Sequence, residues 1–125
     1  MAARFEIKVA KNGDYMFNLY AVNGKVIATS ETYASLQNCK NGIESVKRNA
    51  LVHVEDQTVT GYEALTCPKY EIYADTAGKL RFRLRASNGE IICASQSYTA
   101  KASAQTGIAS LGENAPSAET VIIEQ

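Results

Sequence analysis

Residues 21–33 read Ala-Val-Asn-Gly-Lys-Val-Ile-Ala-Thr-Ser-Glu-Thr-Tyr, and residues 86–98 read Ala-Ser-Asn-Gly-Glu-Ile-Ile-Cys-Ala-Ser-Gln-Ser-Tyr. The two stretches lie 65 residues apart, and the match extends outward from them in both directions: residues 5–50 fall on residues 70–115 without a gap. Sixteen of these 46 positions are identical, against roughly three for chance pairing at average residue usage. An internal repeat constrains a fold more than any local propensity. The chain therefore reads as one domain over 1–125 built by tandem duplication, with repeat 1 over 4–56, a connection over 57–68 and repeat 2 over 69–125.

Each unit opens with alternating apolar and polar residues, Phe5-Glu6-Ile7-Lys8-Val9 and Tyr70-Glu71-Ile72-Tyr73-Ala74. Period-2 alternation marks a strand with one buried face. The next runs, Tyr15–Ala21 and Leu80–Ala86, alternate again and bury Phe17, Leu19 and Ala21, or Phe82, Leu84 and Ala86. For Phe17 to share a face with Ile7, paired residues must sum to an even number such as 24, which predicts a three-residue loop with Gly13 or Gly78 left-handed. Asn23-Gly24 and Asn88-Gly89 predict a two-residue type I′ turn, with sums of 47 and 177. That register places Val26, Ala28 and Ser30 on the core face with Leu19, and Ile91, Cys93 and Ser95 with Leu84. It places Ile27 and Ile92 on the opposite, outer face.

After Tyr33 and Tyr98 the period becomes helical. Leu36, Cys39, Ile43 and Val46 form one apolar stripe with Ser35 as N-cap; Ala104, Ile108 and Leu111 form the other with Thr99 as cap. Gly42 and Gly107 fall mid-helix, where glycine costs about 1 kcal/mol relative to alanine, so the helix backbone is expected to pass close to a neighbour. Short β-rich runs follow at Val52-His53-Val54 and Val121-Ile122-Ile123. Each unit thus reads β-β-β-α-β, an α+β class.

The bulk numbers narrow the function classes. A chain of 125 residues buries roughly two-thirds of its unfolded surface and needs no disulfide staple. Thirteen basic and thirteen acidic residues cancel, so no bulk field steers the protein toward nucleic acid or an anionic membrane. No stretch of 18 apolar residues occurs, and Met1-Ala2-Ala3-Arg4-Phe5 carries no apolar run behind its positive charge; the expectation is a soluble, cytoplasmic protein without a membrane partner. Three cysteines and one histidine, His53, lack metal-ligand spacing. The expectation is no metal, no cofactor and no catalytic set, since nucleophile–base pairs and paired carboxylates are missing as motifs. Cys93 stands where its copy has Ala28, which marks it as a small buried apolar group rather than a nucleophile.

The combination of an aromatic-Glu-Ile strand, the run Phe82 to Ser95 and the helical segment Asn41 to Val46 resembles the YegP-like family of small, uncharacterised bacterial proteins. The resemblance spans both repeats. It implies β(3)-α-β repeats joined into one antiparallel sheet with the two helices on one face and the last strand of each unit swapped into the other. Single-repeat members of that family imply a homodimer, so a tandem chain is expected to be a monomer with pseudo-twofold symmetry, or a weak homodimer. The family brings no activity, cofactor or catalytic residues. Thr106–Leu111 departs from the family pattern by lacking the polar Asn and Glu of the first helix.

The helix-free face of the sheet is the candidate ligand site. Arg81, Arg83 and Arg85 alternate along one strand with Tyr73 beside them and Tyr20 in the other unit, a pattern that suits phosphates and stacked bases of single-stranded nucleic acid. The competing reading is a solvated strand with cross-strand ion pairs, because the register sets Glu71 opposite Arg83. A third reading is a protein-interaction or assembly surface around the outward Ile27 and Ile92.

Overall fold

The protein is described from a computed structural model over residues 3–123. Met1, Ala2, Glu124 and Gln125, which the sequence reading includes in the domain, lie outside the described residues. Repeat 1 forms β1 (Arg4–Val9), β2 (Tyr15–Tyr20), β3 (Val26–Ser30), α1 (Leu36–Asn49) and β4 (Val54–Asp56). Repeat 2 forms β5 (Lys69–Ala74), β6 (Leu80–Arg85), β7 (Ile91–Ala94), α2 (Lys101–Asn114) and β8 (Glu119–Ile122), with a 3-10 turn at Ala115–Ser117.

All eight strands make one sheet in the order β4-β5-β6-β7-β3-β2-β1-β8. The repeats meet at β3 and β7, where Thr29 pairs with Ala94, its own equivalent after a shift of 65. The last strand of each unit lies on the first strand of the other: β4 on β5 and β8 on β1. These two edge pairs are parallel, so the sheet is mixed and the expectation of an all-antiparallel sheet is corrected. The reason is visible at β4 and β5. Consecutive parallel neighbours need a crossover of about a dozen residues, and residues 57–68 supply it.

The first hairpin follows the expected register, with Ile7 opposite Phe17 and Val9 opposite Tyr15, and Gly13 takes φ 88°. The second does not. Asn23 and Asn88 keep negative φ; only Gly24 and Gly89 are left-handed. Ala21 N–H donates to Lys25 O and Ala86 N–H to Glu90 O, closing loops of three residues rather than two. Each Asn instead turns its side chain inward, Asn23 Oδ1 accepting from Lys25 N and Asn88 Oδ1 from Glu90 N, both at 3.0 Å. The even register at the turn must then become odd, and it does so through a bulge: Tyr20 pairs with Val26 but Leu19 with Ala28. The same shift separates Arg85–Ile91 from Leu84–Cys93.

This bulge overturns the face assigned to two residues. Ile27 and Ile92 are buried, 5% and 4% exposed, in the core rather than outside it, while Val26 and Ile91 are only half-buried. Ala28 and Cys93 keep the core positions the sequence implies. The Cys93 thiol is pushed up to about 12 by burial and the nearby Glu31, and burial pushes Cys39 up to about 11. Ser30 and Ser95 close the strand ends: each Oγ accepts from a β-strand amide (Phe17 N at 2.8 Å, Phe82 N at 2.9 Å) and donates to the next carbonyl.

Both helices cover the face that carries Phe5, Ile7, Phe17, Phe82 and Leu84. Ser35 caps α1 by accepting from Asn38 N. Thr99 does not cap α2; the helix starts a residue later than expected and its N-cap, Ala100, has no side-chain hydrogen bond. The mid-helix glycines sit against aromatic rings. A Cβ on Gly42 would press on the Tyr33 hydroxyl and come within 3.2 Å of Phe17, and one on Gly107 would lie 2.8 Å from Phe82 and from the Tyr98 hydroxyl. Tyr33 stacks on Phe17 and Tyr98 on Phe82 with interplanar angles of 10°, so a ring that moved to admit the Cβ would give up its stack.

Two outcomes follow. Gly42→Ala and Gly107→Ala should each destabilise by about 1–3 kcal/mol through overpacking, read as a lower urea midpoint; a gain from the better helix propensity would refute the contact. With a thiol reagent, half-buried Cys67 should react in the native protein and buried Cys39 and Cys93 only after unfolding; prompt labelling of Cys93 would return it to the list of nucleophiles.

Candidate functional site on the helix-free face

Strand alternation turns the side chains of Arg4, Glu6, Lys8, Asn18, Tyr20, Thr29, Lys69, Glu71, Tyr73, Arg81, Arg83 and Arg85 away from the helices. The register of β5 on β6 is the one expected, Glu71 opposite Arg83 and Tyr73 opposite Arg81. Each arginine is held by a carboxylate through Nε. Arg83 Nε donates to Glu71 Oε1 at 2.5 Å, Arg85 Nε to the same oxygen at 2.7 Å, and Arg81 Nε to Asp75 Oδ2 at 2.9 Å. Arg85 Nη1 also donates to the Gly89 carbonyl at 2.7 Å.

The network continues inward. Lys69 Nζ bridges Glu71 Oε2 at 3.2 Å and Glu55 Oε1 at 2.6 Å. Glu55 and Glu71 are 2% and 4% exposed, although no helix lies on this side. The crossover covers Glu55, while Lys69, Arg83 and Arg85 surround Glu71. Leu65 N donates to Glu55 Oε1, Gln57 Nε2 to Glu55 Oε2, and His53 Nε2 meets the Thr66 carbonyl at 2.7 Å. His53 is thus a strut for the crossover. Sequence reasoning missed Glu55 and Lys69, because nothing local announces that residues 57–68 fold across the sheet.

Burial works to raise the Glu55 carboxyl, but hydrogen bonds from Gln57, Lys69 and the Leu65 amide outweigh it and bring it down to about 2. Glu71 is lowered in the same way by Arg85, Arg83 and Lys69 against its burial. A buried carboxylate with this many donors remains ionised at neutral pH.

Tyr73 and Tyr20 are not brought together. They belong to β5 and β2, four strand spacings or about 19 Å apart. Each ring already carries a guanidinium: Arg83 over Tyr73 at 4.1 Å and Arg4 over Tyr20 at 4.6 Å. The five expected ligand residues therefore divide into a cluster of Tyr73, Arg81, Arg83 and Arg85 and a separate Tyr20–Arg4 pair. Among the described residues no three His, Cys, Asp or Glu side chains group as metal ligands, and no helix is long and apolar enough to cross a membrane.

A family model described as a domain of unknown function, DUF1508, matches residues 10–56 and again residues 75–121. The two matches are offset by 65, the period of the internal repeat. The chain belongs to the DUF1508 family. Among DUF1508 relatives, the UPF0339 protein YegP of Yersinia pestis is 41% identical over 88% of this chain and 86% of its own, and YegP of Escherichia coli K12 is 35% identical over 94% of each. The solution NMR structure of Escherichia coli yegP, a protein of unknown function, superposes with a TM-score of 0.78 at 34% identity, covering 98% of this chain and 93% of that one. A UPF0339 protein from Shewanella oneidensis gives 0.77 at 31% identity over 98% and 92%. The DUF1508 relatives are bacterial and, like the fold neighbours, carry no assigned activity in their names.

The depressed carboxyls set a pH dependence. An unfolded Glu titrates near 4.3, so between that pH and about 2 the unfolded state binds protons that the native Glu55 refuses. Stability from this group should be complete above about pH 5 and be lost as pH falls toward 2. Urea midpoints at pH 7, 5, 4 and 3 should decline in that window, and Glu55→Ala should cost about 3 kcal/mol at pH 7 while flattening the decline. An unchanged profile in Glu55→Ala would remove Glu55 as its cause.

Proposed function

We propose that the chain acts as one noncatalytic, cytoplasmic binding domain, a monomer whose helix-free face takes an anionic partner. The observation that carries the reading is a charge imbalance between faces. The chain is neutral overall, yet the outward face holds six basic residues, Arg4, Lys8, Lys69, Arg81, Arg83 and Arg85, against five acidic ones, Glu6, Glu55, Glu71 and Glu119 on the strands and Asp75 on the loop beside Arg81. A guanidinium anchored through Nε keeps its orientation, which lowers the ordering cost of gripping an anion through Nη. Arg81 Nη1 and Arg85 Nη1 already donate to the Ser95 and Gly89 carbonyls, so Arg83 is the arginine of the cluster best placed to do so.

The noncatalytic part is supported by the chemistry of the few reactive groups. Cys39 and Cys93 are buried thiols held in the protonated form, and His53 is occupied by a backbone carbonyl. All three cysteines are unpaired, which suits a reducing compartment. Single-stranded nucleic acid remains the anion to try first because Tyr73 and the arginines share one cluster. Against it stand the guanidinium already on the Tyr73 ring and the carboxylates already on the arginines. Assembly through Ile27 and Ile92 is withdrawn, since both are core residues.

Fluorescence anisotropy of labelled single-stranded DNA and RNA tests the reading, with the wild type beside Arg81→Gln/Arg83→Gln. Binding that weakens steeply between about 50 and 200 mM salt and is lost in the variant at unchanged circular dichroism supports a polyanion-binding face. Absence of binding at the lower salt overturns it and leaves the arginines as framework charges.

A further inference from the structure

On the helix side, where α1 of the first repeat passes β7 of the second, helix and strand part to leave a cleft of about 710 Å³. The corresponding cleft between α2 and β3 is about 470 Å³. A shift of 65 residues carries one lining onto the other: Tyr33, Gly42 and Ile92 of the first become Tyr98, Gly107 and Ile27 of the second. The two floors are therefore the same, an aromatic ring, bare helix backbone and an isoleucine. The rims are not. Glu31 and Glu90 stand on the first cleft, and their places on the second are taken by Gln96 and Lys25.

The acid pair is also unpartnered. On the outer face Glu6, Glu55 and Glu71 hold a basic partner, while Glu119 has none among the described residues. The side chains of Glu31 and Glu90 have none among the described residues. Both nevertheless act on one group within the cleft. Burial chiefly, then the neighbouring Cys39 and Cys93, and then these two carboxylates push the Tyr33 hydroxyl, which lines the same cleft, up to about 12. Arg85, the basic residue of this lining, is already tied to Glu71 and the Gly89 carbonyl.

A cavity of this size accommodates a small organic ligand. Its apolar floor suits a hydrocarbon body, its two unpaired carboxylates suit positive charge, and the amide oxygens of Asn38 and Asn41 on α1 are acceptors for an ammonium. We propose that the cleft between α1 and β7 is a binding site for a small aliphatic amine, a primary ammonium on a short hydrocarbon body, with Glu31 and Glu90 as its counter-ions. The site shares Arg85 with the arginine cluster and otherwise lies on the helix side of the sheet, and its test does not depend on polyanion binding.

The test is an amide proton–nitrogen NMR titration of the ¹⁵N-labelled protein at low salt with 1,5-diaminopentane, and with 1,5-pentanediol as the neutral isostere, to about 10 mM. The expected result is a set of shifts at Gly42, Gly89 and Ile92 with the diamine, none at their equivalents Gly107, Gly24 and Ile27, and none with the diol. Glu31→Gln/Glu90→Gln changes only exposed side chains, so it should leave the spectrum otherwise intact while weakening the response about tenfold. A silent wild type, an equal response to the diol, or undiminished binding in the double variant would each overturn the assignment.

Discussion

Opposite Leu19 and Tyr20 the third strand has one residue more than its neighbour can pair, and Ile92 repeats the excess opposite Leu84 and Arg85. A strand with regular alternation would send every second side chain to solvent. The bulge instead turns Ile27 and Ala28 together toward the core, and Ile92 and Cys93 likewise. Each isoleucine then lines the cleft beside the other repeat's helix, Ile27 with α2 and Ile92 with α1. Burying such a side chain is worth about 1.5–3 kcal/mol. Here that gain accrues to the junction between repeats, so neither half closes its own core.

The edges of the sheet make the same dependence from the other direction. β4 belongs to repeat 1 by sequence but pairs with β5, and β8 belongs to repeat 2 but pairs with β1. Carrying β4 to its place sends residues 57–68 over the outer face, where they cover Glu55, and Glu71 is buried beside it. Carboxylates in such a position need several donors to offset their lost hydration, and these have them: Lys69 lies between the two, with Arg83 and Arg85 on Glu71 and backbone and amide donors on Glu55. The strand swap adds Glu55 to a charge network that Lys69, Glu71, Arg83 and Arg85 already form within repeat 2. In repeat 1 the equivalent Glu6 has, among the described residues, Arg4 alone as a basic partner, at 2.6 Å.

Much of this was legible because repetition doubles every local signal. The alternation of Phe5–Val9, the odd loop at Gly13, the helical stripe of Cys39, Ile43 and Val46, and the burial of Cys93 opposite the logic of Ala28 all appear twice and agree. The second hairpin was misread for a definite reason. Asn-Gly is compatible with a type I′ turn and with a three-residue loop in which Asn caps through its side chain, and the two differ by one residue in register; that one residue decides which face Ile27 and Ile92 occupy. The parallel edges and the cover over Glu55 were illegible for another reason, since both depend on where a connection travels in space rather than on any pattern within it. At the candidate site, the pairing of Glu71 with Arg83 was readable from register, whereas Glu55 joined it only through the swap.

Comparing the halves position by position separates frame from freedom. Gly42 and Gly107 are identical because a Cβ would meet a stacked ring, Ser30 and Ser95 because a strand amide needs their Oγ, and Gly24 and Gly89 because the loop requires positive φ. None of these positions can vary without strain. The positions that did diverge include Asn18 against Arg83 and Tyr20 against Arg85 on the outer face, where Asn18 is buried and the other three are half-buried, and Glu31 against Gln96 and Lys25 against Glu90 on the exposed cleft rims. The repeated frame thus carries different chemistry in its two copies: Arg83 and Arg85 on the outer face of repeat 2 where repeat 1 has Asn18 and Tyr20, and the acids Glu31 and Glu90 on one cleft rim where the other has Gln96 and Lys25.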